Sequence, residues 1–335
     1  LKVVIPVINL SIGGGCKVLA QLAHGLEQAD HEVEIVIPHD APIHYPITCK
    51  VTRVPEISSK YIPRGDIVLA NYYKTFEAIY EAWPQQCVRY TMGYEPHYVP
   101  DKEYAISLYQ KKVPTITISS WLQKNLWTDN TQISTVISPG LDLNIYKPRE
   151  PFIRPNGVRR ILYIARNPAA QIKGFNDFIE SIEIVKRKSK VPFKVFFICP
   201  EKNKIPNHIP HKRFRPVSEH AMASLYQKAH LFVSTSWVEG FSLPPLEAMA
   251  CGTPVVTTNS GGVTDFCINK KTAILVKKQN PRSIAKGILN VLHNQKLANQ
   301  LASHGMEMAK QFSLEQFTQS MICTFQEIIN NRKNN

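Results

Sequence analysis

No apolar run in this sequence approaches the roughly 18 residues that would cross a bilayer as a helix, so a membrane span is not expected. Cysteines are few and poorly placed for joint work. The seven, at positions 16, 49, 87, 199, 251, 267 and 323, are odd in number and never stand in C-x-x-C spacing. That argues against a disulfide framework and a zinc cluster, and it suits a reducing cytoplasm. Short-period repeats and low-complexity tracts are also missing, which excludes a solenoid and a disordered polar chain. Leu1–Leu10 has neither the basic start nor the cleavage-like site of a secretory leader, and reads as a first strand.

What is there is a chain of 335 residues, longer than one ordinary domain, so two domains are expected. The net charge of +14 is unevenly spread. Residues 1–150 hold 14 Lys and Arg against 15 Asp and Glu, whereas residues 151–335 hold 26 against 11. The second half therefore attracts anionic ligands, such as a nucleotide diphosphate. Nucleic acid would answer the same field, but no nucleic-acid-binding motif accompanies it, and it is not an expected partner. Tyrosine is skewed the other way, with 11 of 13 before residue 150. Such rings suit sugar faces and lipid edges as well as a core.

Strand-like and helix-like patterns alternate twice over. In the first half, Val3–Ile8, Val33–Ile37, Ile67–Ala70, Val88–Thr91, Thr115–Ile118 and Ser134–Ile137 are short apolar runs. Val18, Leu19, Leu22, Ala23 and Leu26 recur at helical spacing after the first of them. The second half restarts with strands at Ile161–Ala165, Val195–Ile198, Leu231–Ser234 and Pro254–Thr257. Helices are expected at Phe175–Lys188, Met222–Lys228 and Pro244–Ala250, from near Pro281, and at Leu314–Asn331. Short runs separated by helices imply parallel sheets. The expected fold is α/β: two Rossmann-like, doubly wound domains facing a central cleft. The boundaries fall at 1–150 and 151–312, with a C-terminal helix, 313–335, packing back toward the first domain. The Pro-rich stretch Pro148–Gly157 reads as the linker.

The sharpest signal is STSWVEGFSLPPLEAMACG, from Ser234 to Gly252. It begins at a strand end. Ser242 can cap the helix that follows, and Pro244 and Pro245 fit its first turn, where an N–H has no intrahelical partner. The N–H groups of Gly240, Phe241, Ser242 and Leu243 are left to face a ligand, and a helix start favours anions and hydroxyl oxygens. Glu239 stands just before the helix and Glu247 on its first turn, so two carboxylates can reach two sets of sugar hydroxyls. Arg166 follows a strand and Lys173-Gly174 opens a helix, placing two cations where a diphosphate can be neutralised. Read alone, either cation is also ordinary surface charge.

These residues resemble the E-x7-E motif and its companions in the retaining glycosyltransferases of family 4, which have two Rossmann domains in the GT-B arrangement. The resemblance implies that Glu239 contacts the donor sugar as the catalytic-site carboxylate. It implies that Gly240, Phe241, Ser242 and Leu243 cradle sugar and phosphate, that Glu247 contacts the ribose, and that Arg166 and Lys173 hold the diphosphate. Ser138–Pro148, Asn259–Gly262 with Asp265, and Phe214–Val217 also lie where the family has its linker approach, its Gly-Gly turn and its base-binding backbone. Gly13-Gly14-Gly15 after the first strand resembles the family's glycine loop, with Gly14 and Gly15 nearest a ligand. Read without the family it is equally a tight turn, since neither G-x-G-x-x-G nor a Walker spacing fits.

The His that many members place beneath the donor sugar is missing; Glu95 and His97, in Gly93–His97, are the candidates to face the cleft there. That segment and Ser242–Pro245 resemble a bacterial surface-polysaccharide branch. The implied reaction moves a hexosyl unit from a nucleotide-diphosphate sugar to a hydroxyl of a glycan or lipid-linked saccharide, with retention and without metal or cofactor. A lipid-linked acceptor would place the protein peripherally at the inner face of a membrane. The alternative is a non-hydrolysing nucleotide-sugar epimerase of the same fold.

Overall fold

The computed structural model describes residues 1–129, 134–149, 157–165, 170–199 and 205–334. The chain divides into two compact units, residues 1–140 with 314–335, and residues 141–313.

The first unit runs β1 (Lys2–Pro6), α1 (Gly14–Gln28), β2 (Glu32–Pro38), β3 (Lys50–Val54), β4 (Ile67–Ala70), α2 (Tyr73–Ala82), β5 (Cys87–Thr91), α3 (Lys102–Tyr109), β6 (Thr115–Thr117), α4 (Ser120–Asp129) and β7 (Ser134–Val136). The second runs β8 (Arg159–Ile164), α5 (Phe175–Lys188), β9 (Phe193–Ile198), β10 (His211–Phe214), α6 (Glu219–Lys228), β11 (Leu231–Ser234), α7 (Leu243–Ala250), β12 (Val255–Thr258), β13 (Ile274–Val276), α8 (Pro281–His293) and α9 (Gln295–Ala309). The last helix, α10 (Leu314–Lys333), belongs to the first unit.

Both sheets are parallel and doubly wound. Their strand orders are β3-β2-β1-β4-β5-β6-β7 and β10-β9-β8-β11-β12-β13. This is the α/β class that the alternation predicts. The order in which strands are added reverses between β1 and β4 in one sheet and between β8 and β11 in the other, and loops at the carboxyl ends of such strands form a natural crevice. Interior strands are apolar because helices cover both faces: every residue of β4, β5 and β12 is buried.

Three strands depart from the sequence expectation. β3, β10 and β13 each lie at a sheet edge, where one side needs no strand partner, and β3 and β10 carry Lys50, Arg53, Lys212 and Arg213. Charge interrupts the apolar pattern of β3 and β10, whereas β13 (Ile274–Val276) is apolar but only three residues long. α10 packs on α1, and Gly25 is what permits the approach: a Cβ there would lie 2.2 Å from Thr318 Oγ1. Arg332 near its end donates to the Asp66 carbonyl at 3.0 Å. In the second unit, α5 presents Phe178, Ile182 and Val185 to the sheet, and Tyr163 of β8 stacks on Phe178 with centroids 3.7 Å apart.

All seven cysteines are free thiols. Among the described residues, no helix is long and apolar enough to cross a membrane.

Candidate functional site

The carboxyl ends of β8 and β11 meet through backbone. Gly174, at the start of α5, has φ of 66°, and a Cβ there would stand 2.0 Å from the Thr235 carbonyl oxygen. Only glycine fits both the left-handed backbone and the contact. Thr235 Oγ1 donates to the Gly174 carbonyl at 2.8 Å, and the Trp237 N–H donates to the Ile172 carbonyl at 2.8 Å. The segment carrying Lys173 is thus sewn to the segment that leads into Glu239.

Glu239 is fixed from the other side. Its N–H donates to the Ser260 carbonyl at 2.7 Å and its carbonyl accepts from the Gly262 N–H at 2.9 Å. Gly262 is required here too, since a Cβ would fall 1.9 Å from the Gly240 carbonyl oxygen. So held, the Glu239 carboxylate receives Lys173 Nζ at 2.9 Å. The pair is partly open to solvent, with side-chain exposures of 34% for Lys173 and 19% for Glu239. Exposed ion pairs contribute at most about 1 kcal/mol to stability. Its consequence is positional: a cation and a carboxylate are held side by side at one loop end.

After Glu239 the chain turns into α7. Among the described residues, the N–H groups of Gly240, Phe241, Ser242 and Leu243 donate to no acceptor. Phe241 is buried, its ring against Phe266 at 5.1 Å and Phe312 at 5.8 Å. What it can offer a ligand is therefore backbone. Ser242 corrects the sequence expectation. It occupies the N-cap position, but with φ of 77° and without a side-chain cap bond. A non-glycine residue in the left-handed region is costly and persists where surroundings enforce it. Here the enforcement comes from buried Phe241 and Leu243 on either side and Pro244-Pro245 beyond.

Glu247 also differs from expectation. It is the fifth residue of α7 and so lies on the second turn, and it is buried. Tyr226 of α6 donates its hydroxyl to Glu247 Oε2 at 2.9 Å. Tyr226 was not singled out from sequence; a lone tyrosine in an amphipathic helix carries no signal. In the sequence Ser260 is merely part of the glycine turn Asn259–Gly262. Its hydroxyl is buried and has no hydrogen-bond partner among the described residues, beside the Glu239 backbone. Arg166 lies outside the described residues, as do Asn167–Ala169 of its loop and residues 150–156 of the expected linker.

In the first unit, Gly14 and Gly15 open α1 and Gly13 precedes it in extended conformation. None of the three has positive φ. A Cβ at Gly13 or Gly14 would meet nothing within 4 Å, and one at Gly15 would meet only Met92, at 3.4 Å. The tight-turn reading thus lacks support. Glu95 and His97 part company. His97 is exposed, its ring edge-on to Tyr94 at 4.9 Å. Glu95 is buried and accepts from the Tyr109 hydroxyl, so the expectation that it faces an open cleft does not hold. Burial pushes its carboxyl up to about 7, against opposing contributions from Tyr109, its own N–H and Arg89. Among the described residues, no three His, Cys, Asp or Glu side chains come together as a metal-holding group.

Residues 147–308 match the family described as glycosyl transferases group 1. An uncharacterized glycosyltransferase of Methanocaldococcus jannaschii is 32% identical over 107 residues, which are 32% of this chain and 30% of that protein. The chain thus spans under a third of that relative's length. Two solved structures share the whole fold. Sucrose-phosphate synthase of Thermosynechococcus elongatus superposes with a TM-score of 0.82 at 17% identity, over 98% of this chain and 99% of the other. HepE of Anabaena, solved with UDP-glucose, gives 0.78 at 16% identity, over 97% and 99%.

Proposed function

We propose that this chain, a group 1 glycosyl transferase by residues 147–308 and of the GT-B type by fold, moves a hexosyl unit from a nucleotide-diphosphate sugar to a hydroxyl of a glycan or lipid-linked saccharide, with anomeric retention. One observation carries the reading. The run of unpaired N–H groups from Gly240 to Leu243 opens a helix directly between Glu239, beside Lys173, and the buried Glu247. N–H groups at a helix start favour phosphate oxygens, and the adjacent Lys adds charge. The two carboxylates suit hydroxyl donors, Glu239 for the sugar and Glu247 for the ribose. HepE was solved with a ligand of this class.

The chemistry asked of the protein is modest. The bond from sugar to diphosphate breaks as negative charge grows on the diphosphate. Donors fixed in advance stabilise that charge without reorganising. Lys173 and the helix-start amides are such donors, with Arg166 as a further one, and the proposal needs no metal. Glu239 orients the sugar so that the acceptor hydroxyl attacks from the face the leaving group departs. Gly14 and Gly15 leave room for a ligand to approach the backbone.

A panel of nucleotide-diphosphate hexoses, scored by thermal shift, tests the donor class. A donor at about 100 times its Kd raises stability by about 2.7 kcal/mol. A panel without any shift would contradict the reading. The anomeric coupling of the product, read by proton NMR, tests retention; an inverted product would sink that part alone.

A further inference from the structure

Trp237 stands two residues before Glu239 and is tied to three other segments at once. Its N–H donates to the Ile172 carbonyl at 2.8 Å. Its indole Nε1–H donates at 2.6 Å to Oδ2 of Asp177, in the first turn of α5. Its carbonyl accepts from Nζ of Lys278, after β13, at 3.2 Å. The first two bonds bracket Lys173 and Gly174. One grips the chain a residue before Lys173, the other three residues after Gly174. Between them the Thr235 hydroxyl donates to the Gly174 carbonyl. The corner that carries Lys173 is thus held on both sides by the segment that carries Glu239.

The Lys173 side chain does not hold itself in place. An ammonium on a flexible four-carbon stem is a point charge without a preset direction. Among the described residues its ion-pair partner is Glu239, and its side chain is 34% exposed. A bound donor, on the reading above, draws Glu239 to the sugar and Lys173 to the phosphates, so that pair opens. What then aims the ammonium is the backbone beneath it. None of the three bonds of Trp237 uses a group assigned to the donor, so all three can persist when the donor binds. A charge aimed in advance stabilises the growing charge of the leaving group without reorganising. We propose that Trp237 is a positioning residue: through Ile172 and Asp177 it sets where Lys173 stands against the diphosphate. In this role it touches no donor atom, and the assignment rests on the donor-site reading.

The test is a double-mutant cycle on the full chain. Binding of UDP, GDP, ADP and dTDP is measured by thermal shift and by calorimetric titration, and the tightest of them is carried through the series. Trp237→Phe keeps an aromatic ring and both backbone bonds and deletes the indole N–H. It should weaken the nucleotide about tenfold, the lower part of the range for one hydrogen bond to a charged group. In a Lys173→Met background, which has no ammonium to aim, the same substitution should change affinity less than about twofold. Asp177→Asn still offers the indole an acceptor oxygen and should bind as the wild type does. Should Trp237→Phe fail to fold, Asp177→Leu breaks the same bond from its other side and takes its place. Wild-type affinity in the folded variant overturns the proposal. So does an equal loss in the Lys173→Met background, which would make Trp237 merely structural. A wild type that binds none of the four nucleotides removes the donor-site reading and this proposal together. A wild type that binds, with an unaffected variant, removes this proposal alone.

Discussion

Tyr226 is a buried side chain whose hydroxyl meets a buried carboxylate at 2.9 Å. Tyr226→Phe keeps the packing against Phe232 and Tyr146 and removes only that bond. A loss of about 1.5–3 kcal/mol in denaturant-unfolding stability is expected, the range for a hydrogen bond to a charged group. If Glu247 holds the ribose, the same variant weakens UDP more than it weakens the 2′,3′-dideoxy analogue in a titration. Equal weakening would make Tyr226 merely structural.

Glu95 makes a separate expectation. Its carboxyl stands at about 7 in the fold against about 4.5 ordinarily, with Arg89, Tyr109, Tyr72 and Tyr98 as the charged and titratable neighbours. The folded state thus holds a proton that the unfolded chain has lost between those two values. Its contribution falls as pH rises from about 4.5 and is fully adverse above about 7. Thermal melts should therefore show Glu95→Gln more stable than the wild type at pH 8, with the difference shrinking toward pH 5. An unchanged pH profile in the variant would contradict this.

Among residues, Glu239, Glu247 and Lys173 were legible because their types and spacing belong to one short segment or to a helix start. Tyr226, Ser260, Arg89 and Tyr109 were not, because each acquires meaning only from a neighbour distant in sequence.

At the scale of elements, the glycines divide into two kinds. Gly262 and Gly174 are enforced by protein: a Cβ would meet backbone at 1.9 Å and 2.0 Å. Gly262→Ala should destabilise the second unit at the upper end of the about 1–3 kcal/mol typical of overpacking, and should abolish the UDP shift. Gly14 is enforced by nothing among the described residues. Gly14→Ala should leave the melting temperature unchanged or slightly raised, since alanine is the better helix former by up to ~1 kcal/mol. Sugar transfer should nevertheless fall, because a methyl group would intrude where a ligand approaches. Transfer at the wild-type rate would make Gly14 incidental.

Elements buried on both faces were readable as apolar runs, β4 and β11 to the residue. Edge strands were not, since β3 and β10 need apolar residues on fewer sides. The capping assigned to Ser242 was misread for a related reason. Its type suits an N-cap, but buried Phe241 and two prolines dictate the backbone around it.

Over the whole molecule, charge and aromatic content are segregated. The second half carries 26 Lys and Arg against 11 Asp and Glu, and it contains the residues proposed to bind the donor. The first half is near neutral and contains most of the tyrosines, including those around Glu95. A basic half raises the local concentration of an anionic nucleotide, and salt screens that attraction. The same asymmetry gives no support to an electrostatic anchor on the first unit.

The central claim is that Glu239 belongs to a site that transfers sugar from a nucleotide-diphosphate hexose. Its most direct test is release of nucleoside diphosphate together with glycoside product, measured for the wild type and for Glu239→Ala with its fold verified by near-ultraviolet circular dichroism. The wild type should form product with at least one donor of the panel, and the variant should lose transfer by at least about 100-fold, the loss of an interaction worth some 3 kcal/mol in the transition state. A folded Glu239→Ala variant that transfers sugar at the wild-type rate would contradict the account.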